Sequence, residues 1–401
     1  MKPDTIINGK FLSAAMTGVH RVAFEIANAL ASLSEQNAPE LRGRRFEVWH
    51  SHDGRDKAEA IRLPVREVGP LKGILWEQLT LPAWQGHSML LNLCNLGPLA
   101  SGNALTMIHD AQVLLSPKSY GLGFRLWYIT LQRILARRNR ALLTVSQYSR
   151  EQIAKAGLAP ADRIHVIHNG VDHVLRVPPD DAILERFSLA GTSYALGLAT
   201  VQAHKNIGVL LKAFAKPELA GMKLVLFGSA NHAAFTAAGH ELPRNVVFAG
   251  HVTDGELRAL MEHACALLFP STTEGFGLPP LEAMLLGTPA VCAPCGALPE
   301  VCGDAALYAD PHDAGAWAAT LAGLASDSAR QAALSVQGRT HASHFTWRNA
   351  ALRLLDILDI VAVHRRAIAD RFSEGLAHNV AACSPANDHV SLHQMLSGRR
   401  I

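Results

Sequence analysis

Glu274 and Glu282 stand eight positions apart in the stretch EGFGLPPLE, on either side of a Gly-Phe-Gly turn and a Pro-Pro step. The apolar run Cys265 to Phe269 lies just before them. A run of that length reads as a buried parallel strand, 271–277 as the loop at its C-terminal end, and Pro279 or Pro280 as the first turn of the next helix. Ligands of open α/β sheets bind at that edge. Glu274 is then expected on the loop. Glu282 is expected in the first helical turn, where unpaired backbone N–H groups and the helix dipole favour an anionic ligand. One carboxylate can take sugar hydroxyls and the other a ribose diol. The pair also fits a plainer account, in which one glutamate is solvated on a loop and the other offsets a helix dipole.

The elements that must position these groups are set by length and composition. A chain of 401 residues, 49% hydrophobic and 18% charged, is long enough for two domains with buried cores and reads as a soluble enzyme. A net charge of +3, with no long basic tail carrying interleaved aromatics, argues against nucleic acid as a partner. Six cysteines do not make a disulfide scaffold in a chain this long. Cys292, Cys295 and Cys302 have no second pair or histidine at ligand spacing, so neither a metal nor a resident cofactor is expected. The stretch MKPDTIINGKF lacks the apolar core of a signal peptide, and no later run reaches the length of a membrane span. The chain is expected in the cytoplasm, in contact with the inner face of the membrane if the basic helix described below docks there.

Apolar β runs alternate with helical patterns along the whole chain. Strands are predicted at Thr5 to Ile7, Phe46 to His50, Met89 to Leu93, Leu105 to His109, Ala141 to Val145 and Ile164 to Ile167. Helical patterns run through Val22 to Leu33 and Gly123 to Arg138. A second series of strands is predicted at Tyr194 to Leu198, Lys223 to Phe227, Val246 to Ala249, Ala266 to Phe269, Ala290 to Ala293 and Ala306 to Tyr308. Such alternation implies parallel sheets covered by helices on both faces. The segment Val177-Pro178-Pro179-Asp180-Asp181 suits a linker, which divides the chain into 1–180, 181–371 and a weakly ordered tail 372–401. A closing helix is expected from Trp347 to Ile368.

Pro270-Ser271 before the glutamates, Gly275-Phe276-Gly277-Leu278-Pro279 between them, and Ala283-Met284 and Gly287-Thr288-Pro289 after them resemble the signature of the retaining nucleotide-sugar glycosyltransferases of family 4. That resemblance implies an α/β protein of the GT-B fold, two Rossmann-like doubly wound parallel-sheet domains facing across a cleft. Further segments match in the family's order. Gly18, in TGVHR, would let backbone approach a diphosphate at a helix start, and His109, in MIHD, would stand beside the donor sugar. Ser146 and Asn169-Gly170-Val171-Asp172 are two more landmarks, and they equally suit a helix cap and a tight turn with no ligand.

Lys205-Asn206 matches the step where the family's lysine meets the donor's phosphates. Thr200 and Gln202 stand where many relatives carry an arginine, so the second cation of a phosphate clamp would have to come from His204 or Arg21. The resemblance implies His109 and Glu274 as catalytic residues. It implies Gly18, Lys205, Asn206, Gly275, Phe276, Gly277, Leu278 and Glu282 as donor-binding residues, with Glu282 on the ribose. No DxD metal motif is present at a strand end, and Lys205 with backbone N–H groups would carry the diphosphate's charge.

The segment 123–140 combines Phe124, Trp127, Tyr128 and Leu131 with Arg125, Arg133, Arg137, Arg138 and Arg140 and contains no acid. It reads either as a basic helix resting on an anionic membrane or as a core helix with one solvated arginine face. The function implied is retaining transfer of a hexose from a nucleotide sugar to a glycan or lipid-linked oligosaccharide acceptor in surface polysaccharide synthesis. TGVHR with NLCNLGP and MIHDA is similar to a mannosyltransferase subgroup, which makes GDP-mannose the first donor expected. The alternatives are a GT-B nucleotide-sugar 2-epimerase and a non-catalytic scaffold of the same fold.

Overall fold

The computed structural model describes residues 2–115 and 121–363. The first sheet holds β1 (Thr5–Asn8), β2 (Phe46–His50), β3 (Val65–Glu67), β4 (Met89–Asn92), β5 (Ala104–Met107), β6 (Ala141–Thr144) and β7 (Ile164–Val166). Its order is β3-β2-β1-β4-β5-β6-β7, every pair parallel. The second holds β8 (Tyr194–Leu198), β9 (Lys223–Phe227), β10 (Val246–Gly250), β11 (Ala266–Phe269), β12 (Ala290–Cys292) and β13 (Leu307–Tyr308). Its order is β10-β9-β8-β11-β12-β13, again all parallel. This is the doubly wound arrangement in both halves.

The strands are mainly apolar because helices cover both faces, and β1, β5, β6 and β11 are buried along their whole length. β3 escaped the sequence reading for the opposite reason. It is an edge strand whose three residues, Val65, Arg66 and Glu67, are all exposed, so it carries no apolar run, and its charges protect the edge. The helix Gly18–Glu35 begins four residues before the predicted Val22, because Gly18 to Arg21 face the open end of the sheet and carry no apolar stripe. β5 stops at Met107, which leaves His109 on the following loop instead of in the strand.

In each sheet the chain reverses its direction of growth, between β1 and β4 and between β8 and β11. A crevice forms at the carboxyl ends of the strands at such a point. The segments that follow the carboxyl ends of the strands carry Gly18 after β1, His109 after β5, Lys205 after β8 and Glu274 after β11.

Both sheets belong to one compact unit, Met1–Leu355. Arg21 Nη2 donates to both carboxylate oxygens of Asp254, at 2.7 and 2.8 Å, and Arg176 pairs with the buried Glu25. Glu300 accepts from the backbone N–H groups of Gln147 and Tyr148, which start the helix Gln147–Lys155. The expected linker is pinned as well, since Arg258 Nη1 donates to the Val177 carbonyl at 2.8 Å and Asp180 N–H to Gly255 O at 3.0 Å. Of the remainder of the chain, 356–363 is helical, and the expected tail 372–401 lies outside the described residues.

Candidate active site

The loop after β11 is held from both halves of the chain. The Gly275 carbonyl accepts from Ser146 Oγ at 2.7 Å, and Ser149 Oγ lies 3.1 Å from it. A Cβ on Gly275 would come within 2.6 Å of the His109 carbonyl and 2.8 Å of Asp110 Cβ, so only glycine fits. Ser146 also caps the helix Gln147–Lys155 by accepting from Ser149 N–H at 3.0 Å. The sequence offered it as a cap, and the structure adds the bond to Gly275. On the other side Ala297 N–H donates to the Glu274 carbonyl at 3.0 Å. Gly277, with φ +104°, turns the chain into the helix Leu278–Leu286.

That seat buries the Glu274 side chain and aims it at Lys205, whose Nζ lies 2.6 Å from Glu274 Oε1 and 5.5 Å from the centroid of the Phe269 ring. Phe276 contributes backbone more than side chain. Its ring is buried against His168 and Phe345, with centroids 6.1 and 6.0 Å away, and so anchors the loop. Glu282 is buried in the second turn of the helix Leu278–Leu286, not the first, because the helix already starts at Leu278. Its Oε1 is 3.3 Å from His173 Nε2.

His109 is buried, and its Nε2 donates to the Leu93 carbonyl at 2.8 Å while its backbone N–H meets Asn95 Oδ1 at 2.8 Å. With Nε2 committed as donor, Nδ1 is the acceptor, suited to a sugar hydroxyl. Burial pushes the His109 pKa down to about 4, so the ring is neutral near pH 7. Its neighbour Asp110, absent from the sequence reading of the site, is pushed up to about 6, mainly by burial and also by the Glu274 charge. The backbone bond from Gln112 N–H and the charge of Lys205 act in the other direction.

Two helix N-termini open on the same space. The first helical bond of Gly18–Glu35 runs from Arg21 N–H to the Thr17 carbonyl at 2.8 Å, which leaves the N–H groups of Gly18, Val19 and His20 outside the ladder. The helix Leu278–Leu286 offers fewer, because Pro279 and Pro280 have no N–H. The two ends approach closely, since a Cβ on Gly18 would meet Leu278 Cδ1 at 3.7 Å. Of the two replacements for the missing arginine, burial and Lys205 lower the pKa of His204, which makes it a poor cation and leaves the guanidinium of Arg21, on the cavity wall, as the better candidate. Asn206 departs from its expected role. Its Nδ2 donates to the carbonyls of Pro270 and Pro311, at 3.2 and 2.7 Å, tying together loops under the site instead of facing it.

These groups line one cavity of about 820 Å³, with Gly18, Arg21, His109, Lys205, Glu274 and Glu282 on its wall. Phe124 and Tyr128, stacked at 5.4 Å, bring the helix Leu122–Arg138 to its rim. Asp110, His173 and Asn169 also line it, and the buried Asn169 Oδ1 has no hydrogen-bond partner among the described residues. Asp110 had a signal in its place beside His109, whereas nothing in the sequence brings His173 next to Glu282. Among the described residues no group of three or more His, Cys, Asp or Glu side chains is placed to hold a metal ion.

The glycosyl transferases group 1 family model matches residues 188–341, and the glycosyltransferase family 4 model matches 87–175. The O-antigen chain mannosyltransferase B of Escherichia coli is 34% identical over 266 residues, covering 63% of this chain and 69% of that one. The O-antigen chain mannosyltransferase RfbU of Salmonella typhimurium is 28% identical over 227 residues, covering 56% of this chain and 61% of that one. The Anabaena HepE structure, solved with UDP and glucose, superposes with a TM-score of 0.66 at 20% identity, over 89% of this chain and 100% of that chain, a likeness of fold. With that fold, the glutamate pair around its glycine turn and these relatives together, the chain belongs to the group 1, family 4 glycosyltransferases and is a glycosyltransferase.

Proposed function

We propose that the chain transfers mannose, with retention of configuration, from GDP-mannose to a lipid-linked glycan in surface polysaccharide synthesis. The observation that carries this reading is the convergence of Lys205, Glu274, Glu282, His109 and two helix N-termini on one cavity. The mannosyl donor is supported by the names of the two mannosyltransferases above, and the glycan acceptor by their O-antigen products.

In this reading the diphosphate lies between Lys205 and the N–H groups at Gly18, which supply positive charge as the glycosyl–phosphate bond breaks. Glu274 takes sugar hydroxyls and stabilises the developing cationic sugar, and the Nδ1 of His109 orients a further hydroxyl. Glu282 binds the ribose. The acceptor hydroxyl attacks from the face the diphosphate leaves, and the departing phosphate oxygen takes its proton, so no enzyme carboxylate need become a covalent intermediate. Positive charge from the protein's own groups makes transfer independent of a divalent ion, and activity should survive excess chelator.

The two halves, divided near residue 180, act as lobes closing over the donor, and the helix Leu122–Arg138 docks the first lobe on anionic membrane. Leu122, Phe124, Leu126 and Trp127 are exposed on that helix, as are Arg133, Arg137 and Arg138, a pattern that suits an anionic lipid surface. No helix among the described residues is long and apolar enough to cross a membrane.

A thermal-shift panel of GDP-, UDP- and dTDP-sugars tests the donor. Binding stabilises by mass action, so a true donor at a hundred times its dissociation constant adds about 2.7 kcal/mol. GDP-mannose is expected to raise the melting temperature most. A larger rise with another sugar nucleotide would replace the donor, and no rise with any would remove the transferase mechanism.

A further inference from the structure

Glu282 does not meet the cavity alone. His173 Nε2 faces its Oε1 at 3.3 Å, and at the far side of the ring Trp347 Nε1 donates to His173 Nδ1 at 3.2 Å. All three side chains are buried. An indole N–H can only donate, so Nδ1 is the bare nitrogen and the ring proton sits on Nε2, the nitrogen that lies 3.3 Å from the carboxylate. The other tautomer would set two N–H groups head to head at Trp347 and a lone pair against the carboxylate.

The ring is also held in place. His173 belongs to the 3₁₀ turn Asp172–Arg176. Just before it, Val171 N–H donates to the Phe345 carbonyl at 2.9 Å, and Asp172 Oδ1 accepts from Trp347 N–H at 2.8 Å. Gly170 lies so close to the Trp347 backbone that no Cβ fits between them. Behind the turn, Arg258 Nη1 holds the Leu175 carbonyl at 3.2 Å, and Arg176 pairs with Glu25. The Asn-Gly-Val-Asp landmark is thus the seat of Trp347, and it fixes the imidazole that faces Glu282.

We propose that His173, locked by Trp347, is a positioning residue for the nucleoside end of the donor. It engages one oxygen of Glu282 and leaves the other for the ribose diol of a nucleoside diphosphate. A glutamate's terminal torsion is broad, and two adjacent hydroxyls demand a carboxylate in one plane, so a fixed N–H beside it narrows the choice. The inference rests on the ribose role given to Glu282 above.

Binding of GDP and UDP, each compared with its 2′,3′-dideoxy counterpart, reads this directly in the full chain. For whichever base binds, the wild type is expected to favour the ribose form by about 10- to 100-fold, the range for hydrogen bonds to a charged group. Glu282→Ala should bring that ratio near one. His173→Phe, of similar shape but with no N–H, should lower it several-fold while leaving the dideoxy affinity nearly unchanged, and His173→Gln, which restores an N–H, should recover most of it. Trp347→Phe removes only the lock and should also lower the ratio, which keeps the test available if His173→Phe does not fold. A merely structural histidine would weaken both forms equally. An unchanged ratio in His173→Phe and Trp347→Phe, with the ratio lost in Glu282→Ala, overturns the positioning role and spares the ribose reading. A ratio unchanged in Glu282→Ala removes the ribose reading itself, and the proposal with it.

Discussion

Lys205 Nζ and Glu274 Oε1 lie 2.6 Å apart, so the cation matched to the donor's phosphates and the carboxylate matched to its sugar are direct partners. The Glu274 side chain is 9% exposed and that of Lys205 18%, and removing either leaves the other charge poorly solvated. A diphosphate sugar entering between them would divide the lysine's charge between its own phosphates and Glu274.

Glu274→Gln keeps the size of the side chain and removes the charge proposed to stabilise a developing cationic sugar. Turnover should fall by about 100-fold or more, with donor affinity changing far less. Lys205→Ala should show the reverse balance, with donor affinity falling most. Calorimetric donor titrations beside steady-state rates check both, and undiminished turnover in Glu274→Gln would remove the residue from the chemistry.

His109 and Asp110 are neighbours whose shifts, both led by burial, oppose each other in one pH window. The His109 pKa is depressed to about 4, so its contribution to stability is present above its ordinary pKa of 6.5 and is lost as pH falls toward 4. The Asp110 pKa is raised to about 6, so its contribution is present below 3.8 and is lost as pH rises through 6. The two slopes largely cancel in the wild type. Asp110→Asn should expose the histidine's slope, with melting temperature falling on acidification from pH 6.5 to 4, and His109→Gln should expose the opposite slope. Parallel pH profiles for the two variants would contradict this.

The Gly275 seat predicts a local stability cost. Gly275→Ala places a Cβ against the His109 carbonyl and should cost about 1–3 kcal/mol through overpacking. Ser146→Ala, which removes the bond to the Gly275 carbonyl, should cost about 1 kcal/mol. Because both act on the seat of one residue, Gly275, denaturant titration of the double variant should give less than the sum.

Arg21 is held by Asp254, whose side chain is half exposed. If the donor's diphosphate draws Arg21 away, Asp254→Ala should tighten donor binding by up to about fivefold, the worth of an exposed pair near 1 kcal/mol, while Arg21→Ala weakens it. Titration of both variants at low and high salt checks this, and equal affinity in the two would assign the pair to holding the halves together.

Replacing Arg133, Arg137 and Arg138 by serine should release the protein from anionic vesicles, each arginine contributing about 1 kcal/mol near such a surface. Transfer to a short soluble acceptor should stay nearly intact. Sedimentation with vesicles across a salt series checks this, and no binding by the wild type at low salt would leave the helix a packing element only.

The sequence by itself determined the parallel sheets and the loop that carries Glu274. Apolar runs such as Ala266–Phe269 and Tyr194–Leu198 are strands buried on both faces, and that demand is written locally in residue type. Glycines at 275 and 277 likewise mark places where backbone must pass closely or turn left-handed. Tertiary structure alone decided the partners. Lys205 and Glu274 are 69 positions apart, and His173 and Trp347 are 174 apart, so no spacing rule joins them. Asn206, matched by position, turns to two carbonyls under the site, and Phe276 turns its ring into an aromatic cluster. The neutral state of His109 and the high pKa of Asp110 follow from burial, which depends on how the two sheets' loops meet and not on the residues beside them.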